Sequence, residues 1–185
     1  PISWIHLIEQ LYGKGVKPRA LYRNNIPSFI SEKAEWIKAD ILDVTALEEV
    51  MQGVTEVYHC AGLVSFNSKQ KKQLSQINVE GTTNIVNACL SANIRKLVHV
   101  SSVAVFGKNI THSLINEKAP WDNEKNTSFY GKTKYYGEME VWRGIGEGLN
   151  AAIVNPSIII GRYGDWTKGS MAIFKNIYNN FPWYS

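Results

Sequence analysis

Residues 151–161 read Ala151-Ala-Ile-Val-Asn-Pro-Ser-Ile-Ile-Ile-Gly161, with no charged side chain. A strand with one wet face alternates apolar and polar residues. A strand buried on both faces reads as a continuous apolar run, as in parallel sheets. The segment therefore predicts a buried parallel strand over Ala151–Ile160, interrupted at Pro156.

The flanking sequence fits that reading. Strand-like segments at Lys17–Tyr22, Glu35–Ala39, Thr55–Cys60 and Lys96–Val100 alternate with helical patterns. Residues 3–12 place Trp4, Ile5, Ile8, Leu11 and Tyr12 at helical spacing, and Gly13 and Gly15 stop the helix. Thr45-Ala-Leu-Glu48 is a capping-box pattern and predicts a short helix from Thr45 to near Gly53. A long helix over about 74–92 sets Ile77, Ile85, Cys89 and Leu90 on one side. A second runs from Asn126 to Gly146, capped near Thr127 or Ser128, and Ser170–Tyr178 forms a last one. Strands alternating with helices at this spacing predict βαβ units, hence an α/β fold with a doubly wound parallel sheet. Ligands bind such sheets at the carboxyl ends of the strands. That rule selects Arg23, Asp40, Cys60 to Gly62, Ser101-Ser102 and Asn155 to Ser157.

Composition narrows the function classes. The 185 residues, 44% hydrophobic and 19% charged, suit one globular core. No apolar stretch reaches the ~20 residues of a membrane span. Glu9 and Lys14 interrupt the first apolar segment, so no secretory signal is expected. The net charge is +4, but the one tight basic run is Lys69, Lys71 and Lys72, which reads as a solvated helix end. The tryptophans are scattered and form no stacking platform, so no nucleic-acid partner is expected. Cys60 and Cys89 form no CxxC pair and no metal-spaced cluster with His. They read as small core residues of a reducing compartment, which implies a cytoplasmic protein and no metal site.

The chemistry-bearing pair is Tyr130 and Lys134, four residues apart on a predicted helix and so on one face. A nearby ammonium favours a phenolate, making tyrosine usable as a proton donor or acceptor closer to neutral pH. Ser102, 28 residues before Tyr130, ends a predicted strand where its hydroxyl can meet a substrate oxygen. His59 reads as a hydrogen-bonded buried histidine and Asp43 as a turn former.

These residues resemble the extended short-chain dehydrogenase/reductase family, which includes sugar-nucleotide epimerases, dihydroflavonol-4-reductase-like reductases and 3β-hydroxysteroid dehydrogenases. Ser102 and the Tyr130-Gly-Lys-Thr-Lys134 run match in order. Trp36-Ile-Lys-Ala-Asp40-Ile-Leu-Asp43 is similar to the segment whose first Asp meets the adenine. Val57-Tyr-His-Cys-Ala-Gly62 resembles the stretch lining the cofactor, and Asn78-Val-Glu-Gly-Thr-Thr-Asn84 the NVxGTxN helix signature. His99 to Gly107 resembles the strand and loop of the catalytic Ser or Thr, and Asn155-Pro-Ser157 the segment beside the nicotinamide.

The resemblance implies a Rossmann-type domain over residues 1–160 and the start of a substrate-binding region over 161–185. It implies Ser102, Tyr130 and Lys134 as catalytic residues. Arg23, Asp40, Ile41, Cys60, Ala61, Gly62, Tyr130, Lys134, Pro156 and Ser157 would line the cofactor. Asn78 would bond backbone. The glycine-rich turn and the strand before it have no counterpart here, and residues 3–13 look like the helix that follows them. The chain is thus expected to lack that first strand and to stop before most of the substrate region. The absence of an initiator Met agrees, the first residue being Pro1 and the first methionine Met51.

Lys17-Pro-Arg-Ala-Leu-Tyr-Arg23 ends the second family strand without the carboxylate that binds an NAD ribose. Arg23 suits a 2′-phosphate, so NADP(H) is expected over NAD(H). Val103 and Ala104 stand where dehydratases of this family carry acidic residues, which disfavours sugar dehydration. The expected reaction is hydride transfer between the nicotinamide and a small-molecule carbonyl or secondary alcohol. The alternatives are an NAD-dependent sugar-nucleotide epimerase and a non-catalytic dinucleotide sensor. The loop Lys108–Lys125 would help shape the substrate pocket. The two long helices would carry a homodimer.

Overall fold

The computed structural model describes residues 3–106, 116–117, 121, 127–159, 161–162 and 169–180. Most of the loop Lys108–Lys125, the predicted helix start at Asn126, and Ile160 lie outside the described residues.

Helix α1 (Ser3–Gly13) is followed by strand β1 (Arg19–Tyr22), a 3-10 segment (Ser28–Lys33) and β2 (Glu35–Lys38). Helix α2 (Val44–Val50) leads to β3 (Glu56–His59). Helix α3 (Lys71–Ser75) runs through a π-helical turn (Gln76–Glu80) into α4 (Gly81–Ser91). Strand β4 (Lys96–Val100), helix α5 (Phe129–Gly146), β5 (Ala151–Val154) and α6 (Gly169–Asn180) complete the order.

All strand pairings are parallel. β1 pairs with β2, setting Arg19 opposite Glu35, and β3-β4-β5 form a second piece, with Val57 opposite Leu97 and Val98 opposite Ala152. A doubly wound sheet of order 3-2-1-4-5-6 contains these pieces as its 3-2 and 4-5-6 portions. The strand between them has no counterpart among the described residues.

Two sequence expectations change in detail. β5 stops at Val154 rather than Ile160, because Asn155-Pro156 follows and proline has no N–H for a ladder. β5 is also half-buried, with Val154 45% exposed, since among the described residues only β4 pairs with it. Helix α2 is capped by Asp43, not Thr45: the extended backbone at Asp43 lets its Oδ1 accept from Ala46 N at 3.1 Å. Aspartate is the stronger N-cap, and it leaves Thr45 inside the first turn.

The main core lies where α2, α4 and α5 pack about the β3-β4-β5 piece. Leu47, Val86, Cys89, Leu97 and Val141 are fully buried there. Burial pushes the Cys89 thiol up to about 12, so it behaves as an apolar core group. A second cluster of Ile5, Ile8, Ile30 and Ala34, flanked by Trp4 and Trp36, packs α1 against β1 and β2.

Candidate active site

Ser128 starts α5: its Oγ accepts from Gly131 N at 3.1 Å, satisfying a helix-end donor. Close packing then fixes the helix. A Cβ on Gly131 would lie 2.5 Å from Ala104 O, and one on Gly137 would lie 2.5 Å from Asn78 O. Only glycine permits α5 to approach both the segment after β4 and the π turn so closely.

The π turn carries Asn78, 1% exposed. Its Oδ1 accepts from Leu63 N (2.8 Å), and its Nδ2 donates to Leu63 O (2.9 Å) and Thr133 Oγ1 (3.0 Å). Asn78 thus locks the chain after β3 to α5, in the backbone-bonding role expected of it. π turns are frequent where a helix serves a site.

Against this frame, Tyr130, Lys134 and Glu138 fall at four-residue intervals on one face of α5. Lys134 is 4% exposed, and its Nζ donates to Val100 O at 2.9 Å, at the carboxyl end of β4. Burial pulls its pKa down to about 8, while Glu138 and Cys60 act to raise it. The Cys60 thiol is itself pushed up by burial, so it carries no charge at neutral pH. Ser102 follows β4 in the next turn; its Oγ accepts from Ala104 N at 3.2 Å and lies near enough to Tyr130 to act on its hydroxyl.

The Tyr130 hydroxyl is raised above its ordinary value by burial, with Ser102 acting in the opposite sense. Lys134 was expected to lower it. Here its ammonium is committed to Val100 O, and burial governs Tyr130 instead. Phe66, 80% exposed, stands edge-on to the Tyr130 ring with centroids 6.0 Å apart.

The other expected cofactor residues divide into two groups. Gly62 lies beside Lys134: a Cβ there would sit 3.8 Å from Nζ and 3.4 Å from Asn78 Oδ1. Cys60 and Ala61 precede it at the end of β3, Cys60 half-buried and Ala61 exposed. Pro156 O accepts from Val103 N at 3.2 Å, drawing the chain after β5 to the Ser102 turn, and Ser157 is exposed beyond it. The second group sits at the carboxyl ends of β1 and β2. The Arg23 guanidinium reaches Asp40 Oδ2 at 3.8 Å, and Asp40 Oδ1 accepts from Leu42 N at 3.0 Å. Ile41 O accepts from Asn84 Nδ2 at 3.1 Å, and its side chain fills the space left by Gly81.

A dinucleotide fits this donor set. Beyond the N–H given to Val100 O, the Lys134 ammonium has two further donors, and Gly62 puts no side chain beside it. Arg23 presents an exposed cation at a strand end, where such sheets take ligands. Among the described residues no His, Cys, Asp and Glu group could hold a metal ion. Nor is any helix long and apolar enough to cross a membrane.

Three features escaped the sequence reading. Glu138, 8% exposed, accepts from Asn155 Nδ2 at 2.6 Å, and the same Nδ2 lies 3.3 Å from Ser102 O. Its four-residue step from Lys134 was the available signal. Phe66 had no signal beyond its position after β3. The third is a pair of buried rings, His59 and His99, with centroids 5.0 Å apart. Thr82 Oγ1 donates to Asn78 O at 2.8 Å, so His59 Nε2 is the donor in its 3.1 Å bond to Thr82. Both nitrogens of His99 and the Ser101 hydroxyl are buried without a partner. Burial pulls His59 down to about 3 and His99 to about 2, so both rings are neutral.

Fold and site together define a Rossmann-type α/β protein with a serine, a tyrosine and a lysine at the carboxyl end of its sheet. The chain belongs to the NAD dependent epimerase/dehydratase family, which matches residues 5–180. It is 28% identical over 158 residues to sterol demethylase protein B of Methylococcus capsulatus, covering 84% of this chain and 48% of that protein. It is 32% identical over 158 residues to a Synechocystis protein named for dihydroflavonol 4-reductase, covering 84% and 46%. Among solved structures it resembles a short-chain dehydrogenase/reductase superfamily protein from Agrobacterium tumefaciens with bound NAD. That match has TM-score 0.71 and 25% identity, and covers 81% of this chain and 44% of that one. The chain spans about half the length of these curated relatives.

Proposed function

We propose that residues 1–160 form the dinucleotide-binding portion, and 161–185 the start of the substrate region, of an NADP(H)-dependent oxidoreductase. Its reaction would be the reduction of a carbonyl, or the oxidation of a secondary alcohol. The observation that carries this reading is the grouping of Ser102 and Tyr130 with the buried Lys134, whose Nζ donates to Val100 O at the end of β4. When bound, the dinucleotide supplies a hydride to the carbonyl carbon. Tyr130 delivers its phenolic proton to the carbonyl oxygen, completing the alcohol. Ser102 donates a hydrogen bond to that oxygen as negative charge develops. Lys134, with Gly62 and the Cys60-Ala61 stretch, would hold the nicotinamide ribose, with Pro156 and Ser157 on its flank. Arg23, Asp40 and Ile41 would hold the adenosine end.

The raised Tyr130 pKa keeps its proton in place at neutral pH, which suits reduction. The exposed Phe66 ring beside Tyr130 suits an apolar carbonyl compound better than a sugar nucleotide. The test is NADPH oxidation with a panel of aromatic and aliphatic aldehydes and ketones. Turnover is expected in the native protein, reduced about 10³-fold in Tyr130→Phe. Equal activity in the variant would overturn the assignment of Tyr130. Tightly retained NAD, with no turnover of added NADPH, would overturn the reductase reading in favour of an epimerase.

Tyr136, Met139 and Trp142 are exposed on α5 at 44%, 37% and 55%, which supports pairing of two copies through α4 and α5. Sedimentation should show a dimer that Trp142→Glu dissociates. A monomeric native protein would remove this part of the proposal.

A further inference from the structure

We infer that Glu138 is a positioning residue of the Ser102–Tyr130–Lys134 site, supplying the buried counter-charge to Lys134 and, through Asn155, holding the turn that presents Ser102. The role rests on the reading that Lys134 and Ser102 serve the reaction.

The carboxylate is 8% exposed, one helical turn along α5 from Lys134 and on the same face. A carboxylate buried this far costs free energy unless it is bonded and paired. Its bond is to Asn155 Nδ2 at 2.6 Å. That nitrogen has a second hydrogen, aimed at Ser102 O at 3.3 Å. One residue further along each strand end, Val103 N donates to Pro156 O at 3.2 Å. Glu138 thus anchors a two-bond clasp between the chain after β5 and the chain after β4. This clasp fixes the backbone that carries Ser102.

The counter-charge role follows from the spacing along α5 and from which groups act on Lys134 electrostatically. On α5, Glu138 is one turn along from Lys134 and Tyr130 one turn back; His59 ends β3, Cys60 follows it, and His99 lies on β4. Both histidines are neutral, and the Cys60 thiol and Tyr130 hydroxyl keep their protons at neutral pH. Glu138 is the anionic member of that set. Burial alone would pull the Lys134 ammonium toward its neutral form, and the Glu138 charge opposes it. A cationic Lys134 is what a ribose-holding donor requires.

The experiment needs no turnover, so failure of the oxidoreductase reading would show separately in the NADPH assay. Lysines labelled with 13C at Cε are titrated by NMR in the native protein, with the Lys134 resonance assigned by its loss in Lys134→Arg. Native Lys134 should titrate near 8. In Glu138→Gln, which keeps an acceptor for Asn155, the midpoint should fall by about 1 pH unit. Glu138→Asp should restore most of that fall. Amide exchange of Val103 should be near native in Glu138→Gln and at least about tenfold faster in Glu138→Ala, where the clasp loses its anchor. A Lys134 midpoint unchanged in Glu138→Gln would overturn the counter-charge role. Native Val103 exchange in Glu138→Ala would overturn the clasp. If Glu138→Ala fails to fold, the Gln and Asp titrations still decide the first point. Asn155→Ala, which removes the same link, then decides the second by the same exchange measurement.

Discussion

At the β4–α5 end of the molecule, Lys134 is 4% exposed, is bonded to Val100 O, and lies beside Gly62 in the frame locked by Asn78. At the β1–β2 end, the Arg23 side chain is 54% exposed and meets Asp40 at a loose 3.8 Å. The difference is one of solvent. A buried polar group must have its partners, so each member of the first network is held by the fold as well as by any chemistry. An exposed ion pair contributes little to stability, so residue identity at the second end is left free for a ligand to use. Substitutions at the first end should therefore disturb stability and site together. Those at the second should touch ligand preference alone.

The largest effect on stability is expected at Asn78. Asn78→Ala leaves Leu63 N and O without their side-chain partners and Thr133 Oγ1 without its donor. A loss of about 2–4 kcal/mol in urea unfolding is expected: roughly 1–3 kcal/mol for the buried Thr133 Oγ1, and less for the two part-buried Leu63 groups, which water can reach. A loss below about 1 kcal/mol would mean that the link between the chain after β3 and α5 is not what holds this end together.

A smaller, pH-dependent effect comes from His59 and His99. Their folded pKa values, about 3 and about 2, lie below the unfolded value near 6.5. Above pH 6.5 both states are neutral and the pair costs nothing. As pH falls, the unfolded chain takes up protons and the folded one does not. Each histidine then removes up to about 1.4 kcal/mol of stability per pH unit until its folded pKa is reached. His99 has no hydrogen bond to lose, so His99→Phe should retain its stability at pH 7 and fall off with roughly half the combined slope of the two histidines between pH 6 and 4. Chemical denaturation across that range reads the slope. An unchanged slope would place the acid sensitivity elsewhere.

How much of this was legible follows the same division. Periodicity placed the helices and strands, since burial in a parallel sheet writes itself as apolar runs. The Tyr130–Lys134 spacing pointed to a shared helix face because four residues make about one turn. The sequence could not show how far β5 runs, because that depends on which strands flank it. It could not show that Asp43 outcompetes Thr45 as a cap, since both stand at plausible helix starts. The close approach of the tilted His59 and His99 rings needs the β3–β4 register, which sets His59 opposite His99 and is not a local property. Glu138 was visible as a further step of the Tyr130–Lys134 stripe. Its partner Asn155 comes from the chain just after β5, and long-range pairing of that kind has no local signature. The direction of the Tyr130 shift depended on burial and on where the Lys134 ammonium points, neither of which a motif encodes.

The smallest effect is expected at Arg23, and it tests the exposed end directly. If Arg23 binds a 2′-phosphate, Arg23→Ala should raise the KM for NADPH about tenfold and leave that for NADH nearly unchanged. A desolvated charge-assisted contact is worth about 1.5–3 kcal/mol, discounted here for solvent exposure. Unfolding free energy should stay within about 0.5 kcal/mol of native, because the Arg23–Asp40 pair is exposed and long. Asp40→Asn separates the two uses of the arginine. If Asp40 competes with the phosphate for the guanidinium, removing its charge should improve NADPH binding while Arg23 is present and have little effect in Arg23→Ala. Equal losses for both dinucleotides in Arg23→Ala would instead mean that the guanidinium serves a feature common to both. The NADP(H) preference would then have no residue to carry it.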